Sequence, residues 1–177
     1  MVDVNKTKWD EFISGDNNAY SWIYDTYVQT LYSYGLRFTS NSELIKDCIQ
    51  DLFTGLYRNR KNLTVPENIK VYLFVSLKNA LIRALYKEYK YDRDAEIVQF
   101  AFEPTVEELY IVREEYDEEQ KKLQQILSVL TPRQKEIIYY RYVQELDFDE
   151  ICTLMSLNYQ SAQNLIQRSL KKIKDSF

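Results

Sequence analysis

Apolar residues recur every three to four positions along most of the chain, and nowhere do apolar and polar residues alternate for long. The pattern predicts helices throughout and an all-α fold. After Ser40 the apolar positions are Leu44, Ile45, Cys48, Ile49, Leu52, Phe53, Leu56 and Tyr57, a double stripe on one helix, and Ser40 and Glu43 have capping-box spacing. A second helix is expected after Pro66, with Leu73, Leu77, Ala80, Leu81 and Ala84 inward and Asn79, Arg83, Tyr86, Lys87 and Lys90 on another side. Further on, a helix from Glu119 through Leu123, Ile126, Leu127 and Leu130 should stop before Thr131-Pro132, because proline suits the first turn of the next helix. That next helix, Pro132 to about Val143, is expected to bury Ile137, Ile138 and Tyr142 or their neighbours. Another begins near Asp147, with Ile151, Leu154 and Met155 as its apolar face. Ser156-Leu157-Asn158 then breaks the pattern, and Asn158 suits the N-cap of a final helix whose inner face reads Ala162, Leu165, Ile166, Ser169, Leu170 and Ile173. Two short helices joined by about three residues are the helix-turn-helix plan.

Only three glycines and three prolines interrupt the 177 residues, which agrees with a chain that is nearly all helix. The start, Met1 to Lys6, lacks a basic head followed by an apolar stretch, and no run approaches the roughly 18 apolar residues of a membrane span, so a cytoplasmic protein is expected. Cys48 and Cys152 each fall in an apolar stripe and read as small buried residues rather than a disulfide or thiolate site. The chain has no histidine, which removes the commonest general base and metal ligand and sets enzyme and zinc readings back.

The net charge of −4 conceals a pattern that appears when it is divided by segment. Residues 1–91 hold 12 Lys and Arg against 10 Asp and Glu, residues 92–119 hold 2 against 11, and residues 120–177 hold 9 against 6. Two mildly basic domains, 1–91 and 120–177, are therefore expected on either side of an acidic linker, 92–119. Such a strip reads as a solvated spacer, yet Phe100, Phe102, Leu109, Tyr110 and Ile111 also suit docking on a partner or a basic surface.

Three surfaces carry candidate chemistry. On the helix after Ser40, Asp47 and Asp51 lie one turn apart beside Lys46, Gln50 and Thr54. They suit a solvated face, an all-oxygen metal site completed from elsewhere, or a recognition face for a partner protein. Residues 70–90 carry five basic side chains against one acid, Glu88. Mixed with Tyr86, Tyr89 and Tyr91, they can neutralise phosphates and stack on unpaired bases, although tyrosines in a chain with 16 of them also serve as half-buried packing. The final helix exposes Tyr159, Gln160, Ser161, Gln163 and Asn164 near its start, short groups that can reach base edges. Arg168, Lys171, Lys172 and Lys174 follow and can hold phosphates, a pattern shared with any lysine-ended helical hairpin.

The segment Glu43-Leu-Ile-Lys-Asp47-Cys-Ile-Gln50-Asp51-Leu-Phe53-Thr-Gly-Leu-Tyr57 resembles the helix by which bacterial RNA polymerase sigma factors grip the coiled coil of the β′ subunit. Tyr72-Leu73-Phe74-Val-Ser-Leu-Lys78-Asn79 is similar to the helix that opens and reads the minus-ten element. Leu130 to Tyr142, Phe148-Asp-Glu150-Ile151, Ser161-Ala-Gln-Asn164 and Arg168 resemble the domain that reads the minus-thirty-five element. Their order and separation resemble the small, two-domain extracytoplasmic-function class. The resemblance implies that Asp47, Gln50, Asp51 and Phe53 contact or support the β′ site. It also implies that Lys78, Asn79, Arg83, Tyr86, Lys87 and Lys90 serve the minus-ten side, and that Tyr159, Gln160, Ser161, Gln163, Asn164, Arg168 and Lys171 serve the helix-turn-helix side.

As partners the resemblance implies core RNA polymerase, through its β′ coiled coil and β flap, promoter DNA, and a membrane-bound anti-sigma factor. It implies no catalysis, cofactor or metal, and a linker threading towards the RNA exit path. Some positions depart from the family pattern: Cys152 and Ser156 stand where Ala and Gly are usual, Tyr57 where a tryptophan is common, and Ala162-Gln163 where Val-Lys is usual. The last change removes a DNA-facing cation and points to a different promoter sequence. Two other readings of the residues stay open here. One is a stand-alone helix-turn-helix regulator whose first domain senses a ligand or dimerises, and the other is a carboxylate metalloenzyme using Asp47 and Asp51.

Overall fold

The structure, a computed structural model, describes residues 4–88, 100–101 and 124–176. The described residues with regular structure are all helical, and the chain divides into two compact units between Val98 and Gln99. Among the described residues no helix is long and apolar enough to cross a membrane.

The first unit contains α1 (Val4–Ile13), α2 (Asn17–Gly35), α3 (Ser42–Asn59) and α4 (Ile69–Glu88), with a 3-10 turn, Arg60–Asn62, after α3. Helix α2 packs on each of the other three, and α3 packs on α4. Trp9, Ile23, Leu31, Tyr34, Ile45, Leu73, Phe74, Leu77 and Leu81 are almost wholly enclosed. The Tyr34 and Phe74 rings stack with centroids 4.1 Å apart and planes 4° from parallel, joining α2 to α4 at the centre. Trp9 donates its indole N–H to the Thr64 carbonyl at 3.2 Å, which fastens α1 over the loop between α3 and α4. Helix α3 starts one residue later than the Ser40 capping box predicts. Asn41 is the N-cap, accepting from the Leu44 N–H at 3.1 Å, while Glu43 pairs instead with Lys46 at 2.8 Å. The inward stripe of α4 also differs in part: Leu73, Leu77 and Leu81 are buried, but Ala80 and Ala84 are half-buried, and Phe74 and Leu85 complete the core.

In the second unit, the helix expected from Glu119 is described over residues 124–128 and is named α5. It leads to α6 (Pro132–Ile138), α7 (Phe148–Met155) and α8 (Tyr159–Lys174). Each start is capped. Thr131 and Gln134 form a capping box for α6, Asp147 and Glu150 form another for α7, and Asn158 accepts from the Ser161 N–H at 2.8 Å for α8. Helix α6 continues as a π turn, Tyr139–Val143, in which the Gln144 N–H reaches the Tyr139 carbonyl at 3.0 Å. The wider turn shifts the phase of the stripe. Adjacent Tyr139 and Tyr140 are therefore both buried, Tyr142 is 55% exposed, and Leu146 takes the next core position. Both enclosed hydroxyls find partners, Tyr140 on Glu136 at 3.0 Å and Tyr139 on the Gln144 amide at 2.8 Å.

Phe100, drawn from the acidic stretch, belongs to this second core. It is 5% exposed, and its ring lies 5.3 Å from Tyr139 and 6.1 Å from Tyr140 between centroids. Phe102, Leu109, Tyr110 and Ile111 lie outside the described residues. Both cysteines are free thiols, Cys48 buried and Cys152 half-buried.

Candidate functional site

The outward face of α3 presents Asp47, Gln50 and Asp51 to solvent together with Lys46. Phe53, which the resemblance groups with them, is 2% exposed and packs against α2. Its ring meets Tyr24 at 4.8 Å, and its carbonyl accepts from the Tyr20 hydroxyl at 3.2 Å. Phe53 therefore packs beneath this surface, at the junction of α3 with α2.

Beside that face runs an open groove of about 510 Å³, walled by Tyr20, Tyr24, Val28 and Tyr32 of α2 and by Ile49 and Gln50 of α3. Tyr20, Tyr24, Val28 and Tyr32 stand at four-residue spacing on α2, so this wall was legible as a helical stripe, but its aromatic members also suit a core. On the other side of α3 a cavity of about 420 Å³ brings Cys48 and Asp51 together with Tyr72, Ser76 and Arg83 of α4. Burial, then the neighbouring Asp51 and Asp47 carboxylates, push the Cys48 thiol up from its ordinary pKa, and Arg83 opposes them. Arg83 thus stands near the acidic face of α3 as well as on the basic face of α4. Among the described residues no group of three or more His, Cys, Asp or Glu could hold a metal ion.

On α4, Asn79, Arg83, Tyr86 and Lys87 are exposed at helical spacing, with Tyr86 at 55%, whereas Lys78 is half-buried. Lys90 lies outside the described residues.

The turn Ser156-Leu157-Asn158 sets α7 against α8. Ser156 adopts the left-handed conformation, φ 51° and ψ 49°, at the C-cap of α7. Along α8, Tyr159, Gln160, Arg168 and Lys171 are exposed, and Ser161, Gln163 and Asn164 are half-buried. Gln160 donates to Asn164 at 3.2 Å, a pairing that orders two amides on one face. Leu170, expected inward, is 41% exposed, while Ala162, Ile166 and Ser169 fill the inner face. Arg141 and Phe148, which the spacing did not single out, stand next to the start of α8: the Arg141 guanidinium lies over the Phe148 ring, and that ring meets Tyr159.

Two family models match, sigma-70 region 2 over residues 23–91 and sigma-70 region 4 over residues 120–173. Together they span well over half of the chain. The chain belongs to the sigma-70 family. As a sigma factor it is of the extracytoplasmic-function class, with region 2 followed by region 4. The first unit carries region 2, in which α3 and α4 hold the acidic and basic faces, and the second carries region 4, whose α7 and α8 are the helix-turn-helix.

Solved structures with a similar fold include CnrH in complex with the cytosolic domain of CnrY. That likeness has 15% identity, covers 98% of this chain and 96% of that one, and has a TM-score of 0.61. Another is the sigma factor RpoE in complex with the anti-sigma factor NepR from Bartonella quintana, at 14% identity, covering 89% and 95%, with a TM-score of 0.59. No curated protein sequence matches this sigma factor.

Proposed function

We propose that this sigma factor seats core RNA polymerase on the acidic face of α3, with Asp47, Gln50 and Asp51 meeting the β′ coiled coil and Phe53 bracing them from below. Arg83, Asn79, Tyr86, Lys87 and Lys78 on α4, together with Lys90, then take the minus-ten element as it opens. Tyr159, Gln160, Ser161, Gln163, Asn164, Arg168 and Lys171 on α8 read the minus-thirty-five duplex beside the β flap. The acidic linker, 92–119, runs towards the RNA exit path. The protein acts in the cytoplasm without cofactor or catalysis of its own, and a membrane-bound anti-sigma factor holds it in check.

The observation that carries this reading is the separation of sign by helix. The exposed face of α3 carries two carboxylates, whereas the exposed faces of α4 and α8 mix cations with amides and a tyrosine. A helix-turn-helix regulator acting alone would have no need of the acidic α3 face.

Run-off transcription with bacterial core enzyme and gel shifts with and without that enzyme test the proposal. Specific initiation and a polymerase-dependent shift are expected. Sequence-specific binding by the free chain, with no transcription when core enzyme is added, would overturn it.

A further inference from the structure

Three side chains from three successive elements converge on the exposed start of α8. Arg141, in the π turn, is half-buried and donates Nη1–H to the Leu146 carbonyl at 2.9 Å. Its guanidinium carbon lies 5.4 Å from the centroid of the Phe148 ring. Phe148, the first residue of α7, is also half-buried, and its ring stands 5.2 Å from that of Tyr159, tilted by 43°. Tyr159, the first residue of α8, is 49% exposed. Of the three, Tyr159 alone is exposed, so the last ring of the series reaches solvent where the helix begins.

We infer that Arg141 and Phe148 are positioning residues that hold the Tyr159 ring as a specificity-determining group, directed at the C5 methyl of a thymine in the upstream promoter element. The inference rests on the reading of α8 as the helix that enters the major groove. An exposed aromatic side chain samples several rotamers, and ordering it on binding costs affinity. A ring already braced by a second aromatic, itself held by a cation, loses less. The thymine methyl is the one apolar group displayed in the major groove, so it suits an aromatic ring better than any amide on α8 does. The carbonyl that accepts from Arg141 fixes the guanidinium against Phe148 and so sets the brace from the π turn.

The test uses the full chain bound to bacterial core RNA polymerase and promoter fragments randomised through the upstream element, with retained sequences counted. Wild type and Tyr159→Phe should share a preference for thymine at one position. Tyr159→Ala and Phe148→Leu should each lower that preference by roughly tenfold and leave the other positions as they were, in keeping with loss of one base-edge contact. Arg141→Lys, which keeps the charge but not the planar group, should move it in the same direction. Combining Phe148→Leu with Tyr159→Ala should add no further loss.

The inference is overturned if Phe148→Leu keeps the thymine preference or weakens every sequence alike, or if Tyr159→Phe loses the preference. Should Phe148→Leu fail a thermal melt, Arg141→Lys and the exposed Tyr159 variants still decide the matter. Wild type selecting no sequence at all would remove the reading of α8 together with the inference. Failure of the brace variants alone would remove only the inference.

Discussion

Two residues show how closely backbone geometry is matched to side-chain size. A Cβ built on Gly35 would stand 2.6 Å from Cγ2 of Ile45, a fully enclosed β-branched residue that has no room to turn away. Gly35→Ala should destabilise the first unit by about 1–3 kcal/mol, measured by urea unfolding. Ser156 presents the opposite case. A side chain occupies a left-handed turn where glycine carries no Cβ penalty, so Ser156→Gly should stabilise the second unit by about 1 kcal/mol in the same measurement. The small size of Ser156 was readable from the sequence, but its positive φ was not, because the α7 to α8 turn imposes that angle.

At the scale of elements, the helices whose apolar stripes repeat regularly were the legible ones. Helix α3 and the inner residues Ala162 and Ile166 of α8 lie where a 3.6-residue period places them. The stretch after α6 departs from that period. A π turn takes one more residue per hydrogen-bonded ring, so a register that begins correctly at Ile137 points Tyr142 outward. Leu170 departs for another reason, as it stands near the end of α8 on the margin of the covered face. Of the candidate site, the exposed cations and amides could be read from composition and spacing. The brace beneath Tyr159 could not, because it joins residues 141, 148 and 159 across two turns of chain. The capping boxes are local and testable: Thr131→Ala removes the acceptor for the Gln134 N–H and should cost about 1 kcal/mol, seen as a lower melting temperature of the second unit.

For the molecule as a whole, a net charge of −4 conceals helix faces of opposite sign, which the proposed function assigns to different partners. Asp51→Ala should weaken capture of core polymerase while changing folding stability by no more than about 0.5 kcal/mol, as is usual for an exposed position. Pull-down titration and a thermal melt measure the two effects separately. Arg168→Ala should instead weaken promoter binding by the polymerase complex on every sequence and reduce the salt slope by about 1, measured by titration at several salt concentrations. The seat of Phe100 among Tyr139 and Tyr140 bears on reach. Between the end of α4 at Glu88 and that anchored ring lie 11 residues, enough to span at most about 40 Å. Residues inserted between Glu88 and Phe100 should raise that limit and, on the proposed function, relax the spacing tolerated between the two promoter elements. Residues inserted between Ala101 and residue 124 fall within the second unit and should leave that spacing as it was.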